Sequence, residues 1–246
     1  MLFRSFVVLE WLERYGGEGW FKLGDRDLAA HITRSRLLAE GRSLSEVADR
    51  MRRALGVRAV ILPMSDDRVE TRIVTAAGEI SFQDYFVKRH WRDEVKRVFF
   101  AGAEMSRPAP GLLAALGGAT AVIVCPSNPV TSIGPILSVP GIRRALSEAR
   151  YPVVAVSPII QGSPVSGPAR RLMVAAGYEA SAAGVAEAYA DFADAIVIAP
   201  EDGGLKGRIE ALGMRTVASP IRMQSLADRR RVARELVETL RSLKPR

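Results

Sequence analysis

Short apolar runs alternate with longer amphipathic segments along most of the chain. The runs are rich in valine and isoleucine, and none shows a regular alternation of apolar and polar positions. Such runs are typical of strands buried on both faces, as in a parallel sheet. They are AVIL (59–62), AVIVC (121–125), VVAVS (153–157), AIVIA (195–199) and TVAS (216–219).

The segments between these runs have apolar residues at helical spacing. We expect helices over residues 43–55, 141–150, 167–177, 184–193 and 203–213, and an amphipathic C-terminal helix over residues 226–246. Strand followed by helix followed by strand predicts a doubly wound α/β fold with a mostly parallel sheet.

A proline follows each predicted strand, and proline cannot donate a hydrogen bond to a neighbouring strand. These prolines are Pro63, Pro126, Pro158, Pro200 and Pro220. The carboxyl ends of parallel strands lie along one edge of the sheet, which is where open α/β sheets bind ligands. We therefore expect the functional site along this edge.

Residues 70–103 interrupt the α/β pattern. Apolar and polar residues alternate there around AAGE (76–79), which predicts a β-hairpin followed by an amphipathic strand or helix. We interpret this segment as a small insert or lid, and residues 106–111 as its exit linker.

Composition and charge narrow the function classes. The formal net charge is +8, which indicates either an anionic partner or simply the arginine-rich composition of a GC-rich genome. The C-terminal basic run lacks interleaved aromatic residues, so we do not expect nucleic-acid binding. No run reaches the roughly 18 apolar residues of a membrane span. The single Cys125 cannot form an internal disulfide, which fits a cytoplasmic protein.

The loop after the second predicted strand is the strongest candidate site. It contains Ser127, Asn128, Thr131 and Ser132, and Gly134 stands where a helix should begin. Small hydroxyl and amide side chains beside a helix start suit a phosphate or a nucleotide. The alternative is that the serine and asparagine only cap the helix.

A second candidate is the charged stretch WFKLGDRDLAAHITRS (20–35). It brings together Lys22, Asp25, Arg26, Asp27 and His31. We expect Asp25 to be a helix N-cap, which places Arg26 in a first turn where its charge opposes the helix dipole. An arginine there indicates a specific partner, and we interpret His31 as part of the same site rather than as a core histidine.

A third candidate is the polar group formed by Ser65, Asp66 and Asp67, which follows the first predicted strand. These residues could hold Mg²⁺ or a ribose, or they could cap a turn. No cysteine and histidine spacing suited to a transition metal occurs in the chain.

Several motifs together resemble the CofD family, the 2-phospho-L-lactate transferases of coenzyme F-420 biosynthesis. The motifs are KLGDRDLAAHITRSRLLAEGRSLSEV, ILPMSDDRVETRI, ISFQDYFV, PSNPVTSIGPILSVPGIR, VVAVSPIIQGSPVSGPARRLM and GVAEAYADF. The resemblance implies a Rossmann-like three-layer fold with a core of residues 1–69 and 104–246 and a small β-containing insert over 70–103. It also implies a cytoplasmic homodimer that requires Mg²⁺.

The resemblance further implies a reaction. A guanosine diphosphate-linked lactate or enolpyruvate donates its phospho-acid part to the deazaflavin FO, and GMP leaves. By motif, Lys22 corresponds to an FO contact, with Asp25, Arg26 and Asp27 in the same motif. Ser127 and Asn128, with Ser132 and Gly134 of the same loop, would border the nucleotide donor. His31, Ser65 and Asp66 are further candidates.

The sequence departs from the family pattern at its start. Neither the leading glycine-rich turn nor the acidic segment associated with metal binding is present, so we expect an N-terminally truncated chain and assign no catalytic or metal-binding residue. The activity of this chain by itself is thus a separate question from the function of the gene. The alternative function is a non-catalytic nucleotide- or sugar-nucleotide-binding regulator of related fold.

Overall fold

The first half of the chain contains three helices and a small sheet. A computed structural model describes residues 5–164 and 169–243. Helices α1 (Val7–Arg14), α2 (Asp25–Ala39) and α3 (Leu44–Ala54) come first, followed by strands β1 (Glu70–Thr75), β2 (Gly78–Ser81) and β3 (Arg97–Ala101). A π-helical turn, Asp84–Lys88, lies between β2 and β3, and a 3₁₀ turn, Ala103–Met105, follows β3.

The second half alternates strands and helices. Its elements are α4 (Leu112–Gly117), β4 (Val122–Val124), a π-helical turn (Pro129–Ile133), α5 (Gly134–Ser138), α6 (Ile142–Ser147), β5 (Val153–Val156), β6 (Ile159–Ile160), β7 (Ser163–Pro164), α7 (Ala169–Ala175), α8 (Ala182–Tyr189), β8 (Ala195–Ile198), a 3₁₀ helix (Pro200–Leu205), α9 (Lys206–Glu210), β9 (Arg215–Ala218) and α10 (Leu226–Ser242). The predicted helices over 43–55, 141–150, 203–213 and 226–246 each contain one of these helices, and the helix predicted over 184–193 overlaps α8, which begins two residues earlier. The helix predicted over 167–177 is present as α7, while residues 167 and 168 lie outside the described part of the chain.

Four of the five predicted strands form one parallel sheet in the order β4-β5-β8-β9. Every residue of β5 and β8 is buried, as their continuous apolar runs predict. Their carboxyl ends share one edge, so Pro126, Pro158, Pro200 and Pro220 follow strands on the same side of the sheet. The prediction of an α/β fold with a mostly parallel main sheet is confirmed.

The prediction of a strand over residues 59–62 is wrong. The segment has no regular secondary structure, and Val60 and Ile61 are 69% and 50% exposed. A strand needs a partner that satisfies its backbone groups, and none of the described strands pairs with this segment. A four-residue apolar run cannot indicate by itself whether such a partner exists.

The sheet carries apolar clusters on its two faces. Alternate residues of β5 and β8, such as Val153 and Ile196, pack with α6, α7, α8 and α9. The intervening residues, such as Val154 and Val197, pack with Val232 and other residues of α10. Side chains of successive strand residues point to opposite faces, so the helix, sheet and helix layers follow from the strand sequences. None of the helices in residues 5–164 and 169–243 has the length and apolar content of a membrane span.

The small sheet is antiparallel, in the order β2-β1-β3. Thr75 pairs with Gly78 across a two-residue turn, which confirms the predicted hairpin. The segment after the hairpin was predicted to be a strand or a helix, and it contains both: a short π-helical turn and then strand β3. Ile73 and Tyr85 are fully buried in the same cluster as residues of β5 and β8. The division into a core and a lid stays a prediction.

Candidate functional site

The loop after β4 lies at the carboxyl edge of the sheet and is held in one conformation by Asn128. The side-chain oxygen of Asn128 accepts hydrogen bonds from the backbone N–H groups of Val130 (2.9 Å) and Thr131 (3.3 Å). Its backbone carbonyl accepts from the N–H groups of Ser132 and Ile133, at 3.0 and 3.1 Å. The geometry shows Asn128 in the capping role, and its predicted contact with the nucleotide donor stays a prediction.

The other predicted loop residues differ in accessibility. Ser127 is half-buried, and Ser132 is exposed. Gly134 has a packing role, because a Cβ atom there would lie 3.0 Å from Cζ of Phe100 and 3.1 Å from the carbonyl oxygen of Pro129. The absence of a side chain at Gly134 thus lets β3 approach the loop closely. This glycine also lines a cavity of about 480 Å³ whose wall includes Tyr189.

The predicted acceptor-side residues lie at the start of α2. Lys22 is exposed and borders a cavity of about 440 Å³ whose other walls come from residues of or beside α1. Gly24, not Asp25, is the N-cap of α2, so the prediction for Asp25 is corrected by one position. The Asp25 carboxylate instead accepts a hydrogen bond from the Val8 N–H (3.1 Å), because α1 packs beside it. Hydrogen bonds from Ser5 and the nearby backbone hold the pKa of Asp25 below its usual value.

The neighbouring predicted residues face solvent or one another. Arg26 and Asp27 are exposed in the first turn of α2, and Nδ1 of His31 lies 2.8 Å from Nη2 of Arg34. The preceding loop reaches the π-helical turn between β2 and β3, since Nζ of Lys88 lies 3.9 Å from Oε1 of Glu18. Within the described residues, no hydrogen bond or ion pair joins these α2 residues to the loop after β4.

Ser65 and Asp66 make hydrogen bonds that join chain segments. Ser65 is only 2% exposed, and its hydroxyl donates to the carbonyl oxygen of Arg107 at 2.6 Å. One carboxylate oxygen of Asp66 accepts from both the N–H (2.6 Å) and the hydroxyl (2.8 Å) of Ser45 at the start of α3. Asp67 accepts from the N–H of Arg107 at 2.8 Å. This geometry is that of the turn-capping alternative, and a ligand role for Ser65 or Asp66 stays a prediction.

These side chains do not fit a resident metal. Mg²⁺ is held by several oxygen ligands, usually with carboxylates among them. Across residues 5–164 and 169–243, no three histidine, cysteine or acidic side chains come together in a way that could hold a metal ion. The carboxylates of Asp66 and Asp67 are in addition already bound by N–H and hydroxyl donors.

Sequence reasoning missed several buried polar groups. The hydroxyls of Tyr85 and Tyr189 are buried without a hydrogen-bond partner among the described residues, and burial raises both pKa values. The Asp202 carboxylate is buried and accepts from the N–H of Gln161 at 2.9 Å, and burial raises its pKa. The sequence places Asp202 in a helical turn but contains no local signal for its contact with Gln161.

The fold and this edge define a class of protein before any comparison. An open α/β sheet with a polar loop at the carboxyl end of its edge strand belongs to the class of folds that bind ligands, dinucleotides among them, at that edge. Residues 5–238 match the model of the family described as 2-phospho-L-lactate transferase CofD. The chain belongs to the CofD family, and it is an enzyme of the 2-phospho-L-lactate transferase type, of coenzyme F-420 biosynthesis. The resemblance inferred from the sequence motifs is confirmed.

Similar proteins carry two names. The chain is 45% identical to a protein of Streptomyces griseus named phosphoenolpyruvate transferase, over 95% of this chain and 76% of that protein. It is 40% identical to a protein of Methanosarcina mazei named 2-phospho-L-lactate transferase, over 95% of this chain and 77% of that protein. A crystal structure of a UPF0052 family protein from Bacillus halodurans matches with a TM-score of 0.63 at 19% identity. That match covers 92% of this chain and 76% of the other, and it supports the Rossmann-like fold alone.

Proposed function

We propose that this protein transfers a phospholactyl or phosphoenolpyruvyl group from a guanosine diphosphate-linked donor to the deazaflavin FO. The products would be GMP and coenzyme F-420-0 or its dehydro form. The observation that carries the proposal is 40–45% identity, over 95% of the chain, to relatives named for both transfers. The relatives' two names leave both donors open for this chain, and a homodimer without nucleic-acid or membrane partners belongs to the same proposal.

The loop after β4 would hold the donor. Its cap on Asn128 fixes the backbone, so the half-buried Ser127 and the exposed Ser132 can offer hydroxyl donors to phosphate oxygens without further ordering. A loop that is rigid before binding stabilises developing charge at little reorganisation cost.

The acceptor would approach from the side of α2, where Lys22 and Arg26 are exposed cations. In the reaction, the terminal hydroxyl oxygen of FO attacks the phosphorus atom that bears the acid. A new P–O bond forms, the bond to the bridging oxygen of GMP breaks, and the hydroxyl proton is released. Cations near these oxygens stabilise the negative charge that spreads in the transition state.

Mg²⁺ is part of the proposal only as a requirement of the reaction. It would neutralise diphosphate charge when bound with the donor. The described residues offer no ligand set for it, so no step is assigned through the metal.

The test is FO-dependent release of GMP, together with a fluorescence titration of FO. We expect Lys22→Ala to weaken FO binding roughly tenfold, because it removes one charge-assisted contact. Lys206→Ala is the matched control, since Lys206 is an exposed lysine in α9 that forms an ion pair with Glu210. Folded protein whose FO affinity is equal in both variants would exclude Lys22 from the acceptor site. GMP release that does not depend on FO would contradict the transferase reaction itself.

A further inference from the structure

A further cavity, of about 720 Å³, opens between the segment before β3 and helix α7. We name it the basic cleft, and it is lined by Arg92, Glu94, Val95, Lys96, Arg170, Arg171, Val174 and Ala175. None of these residues belongs to the loop after β4 or to the start of α2. The cleft is therefore separate from the residues assigned above to the donor and the acceptor.

Four cations line the basic cleft against one carboxylate. Among the described residues, neither Arg92, Lys96, Arg170 nor Arg171 forms an ion pair with an acidic side chain. Arg143, by contrast, pairs with Asp191 at 2.6 Å. Like charges gathered on one surface repel one another unless a counter-ion neutralises them. The lining of the cleft thus has a formal excess of three positive charges, from four cations and one carboxylate.

The wall of the cleft is held in place by Arg171. Its Nη1 donates to the backbone carbonyls of Trp91 (2.5 Å) and Arg92 (3.1 Å), residues that lie 80 and 79 positions away in sequence. Trp91 also stacks on Phe86, with ring centroids 5.2 Å apart. These contacts fix the position of the Arg92 backbone relative to α7.

The segment that precedes Arg92 in the chain contains left-handed backbone and a buried hydroxyl. His90 and Trp91 have φ angles of 50° and 47°, in the left-handed region that side chains disfavour. Tyr85 is fully buried, and its hydroxyl is close enough to Arg171 for the guanidinium charge to act on it, yet no hydrogen bond of normal geometry forms. Strain and unsatisfied polar groups concentrate at functional sites, where the surrounding structure maintains them.

We propose that the basic cleft binds a multiply charged oxyanion of the pyrophosphate class. Arginine guanidinium groups present paired N–H donors that match phosphate oxygens, and Lys96 adds a point charge. Four cations against one carboxylate favour an ion with several negative charges over a monoanion. The proposal does not depend on the transferase reaction, because the ion needs neither donor nor acceptor.

The experiment titrates sodium pyrophosphate into the full 246-residue chain by calorimetry, against sodium chloride of equal ionic strength. The test variant is Lys96→Gln with Arg170→Gln, which leaves the structural Arg171 in place. The control variant is Arg229→Gln with Arg230→Gln, which removes the same charge from exposed positions of α10. We expect saturable binding that weakens at least about tenfold in the test variant and stays unchanged in the control.

Three outcomes would overturn the proposal. Equal weakening in both double variants would show a bulk charge effect, and heat that does not saturate would show counter-ion screening only. Weakening by Asn128→Ala, with none in the test variant, would place the ion at the loop after β4. Circular dichroism spectra that match the wild type confirm that each variant is folded. The pyrophosphate titration measures binding alone, so its result holds even if the protein shows no FO-dependent release of GMP.

Discussion

At the scale of the residue, Asn128 shows how one side chain can serve the fold and the proposed site together. Its side-chain oxygen caps the turn after β4, which leaves the side-chain nitrogen for a ligand. We expect Asn128→Ala to lower the free energy of unfolding by about 1 kcal/mol, because the cap is lost. Asn128→Asp keeps the oxygen acceptor, so it should retain most of that stability.

Urea unfolding of both variants, combined with GMP release, separates the two roles. If the nitrogen contacts the donor, the aspartate variant stays folded but loses activity, since it replaces an amide donor with a carboxylate that repels phosphate. An active, stable aspartate variant would restrict Asn128 to capping. Equal destabilisation by alanine and aspartate would contradict the capping role.

At the scale of the element, local patterns predicted those structures whose causes are local. The strands β5 and β8 are continuous β-branched and apolar runs, and such runs are buried on both faces wherever helices cover the sheet. The segment AVIL (59–62) has the same pattern, but none of the described strands pairs with it, so the prediction of a strand there was wrong. Helix α1 has no buried residue, and its N-cap residue, Phe6, makes no capping hydrogen bond through its side chain. Its position depends on the contact of Val8 with Asp25, which no short pattern shows.

Gly102 allows a prediction about how β3 ends. Its φ is 82°, and a Cβ atom there would lie 2.4 Å from the carbonyl oxygen of Arg68. Gly41 has the same φ with nothing within 4 Å, so it isolates the cost of the backbone conformation. We expect Gly41→Ala to cost about 1–2 kcal/mol of unfolding free energy. Gly102→Ala should cost about 2–5 kcal/mol, because the backbone contact adds overpacking.

Thermal and urea unfolding of the two alanine variants measure these costs under identical conditions. The difference between them is the contribution of the close approach between Gly102 and Arg68. Equal costs would mean that the Arg68 carbonyl moves away from the added Cβ atom at no cost, so that the close contact does not fix the end of β3 at Gly102.

At the scale of the whole molecule, the sites depend on contacts that are distant in sequence. The carboxyl-edge loop was predictable because strand ends in a parallel sheet converge by topology. The basic cleft was not predictable, since Arg171 meets Trp91 across 80 positions and each residue alone has an ordinary sequence context. Likewise, Ser65 was predicted from its acidic neighbours, but its bond to Arg107 spans 42 positions. Residue type and spacing identify candidates near one another in sequence, whereas tertiary contacts decide their partners.

Whether the small sheet moves as a separate lid is decided by the core that it shares with the main sheet. Ile73 of β1 is fully buried in the cluster that contains residues of β5 and β8, so removing its side chain should disturb both sheets. We expect Ile73→Ala to lower the unfolding free energy by about 2–5 kcal/mol, as cavity formation does in other cores. Ile61→Ala, at a position that is half exposed, should change it by less than about 0.5 kcal/mol.

Hydrogen exchange at Ile196 and Ile198 of β8 distinguishes the two arrangements, because these residues lie far from Ile73 in sequence but share its cluster. If residues 70–103 and the main sheet unfold as one unit, Ile73→Ala accelerates exchange in β1 and β8 by the same factor. If the segment is a lid that opens alone, exchange accelerates in β1–β3 while β8 keeps its wild-type protection. The shared cluster favours the first result, which would make any closure over the substrates a motion of loops at the carboxyl edge rather than of the small sheet as a whole.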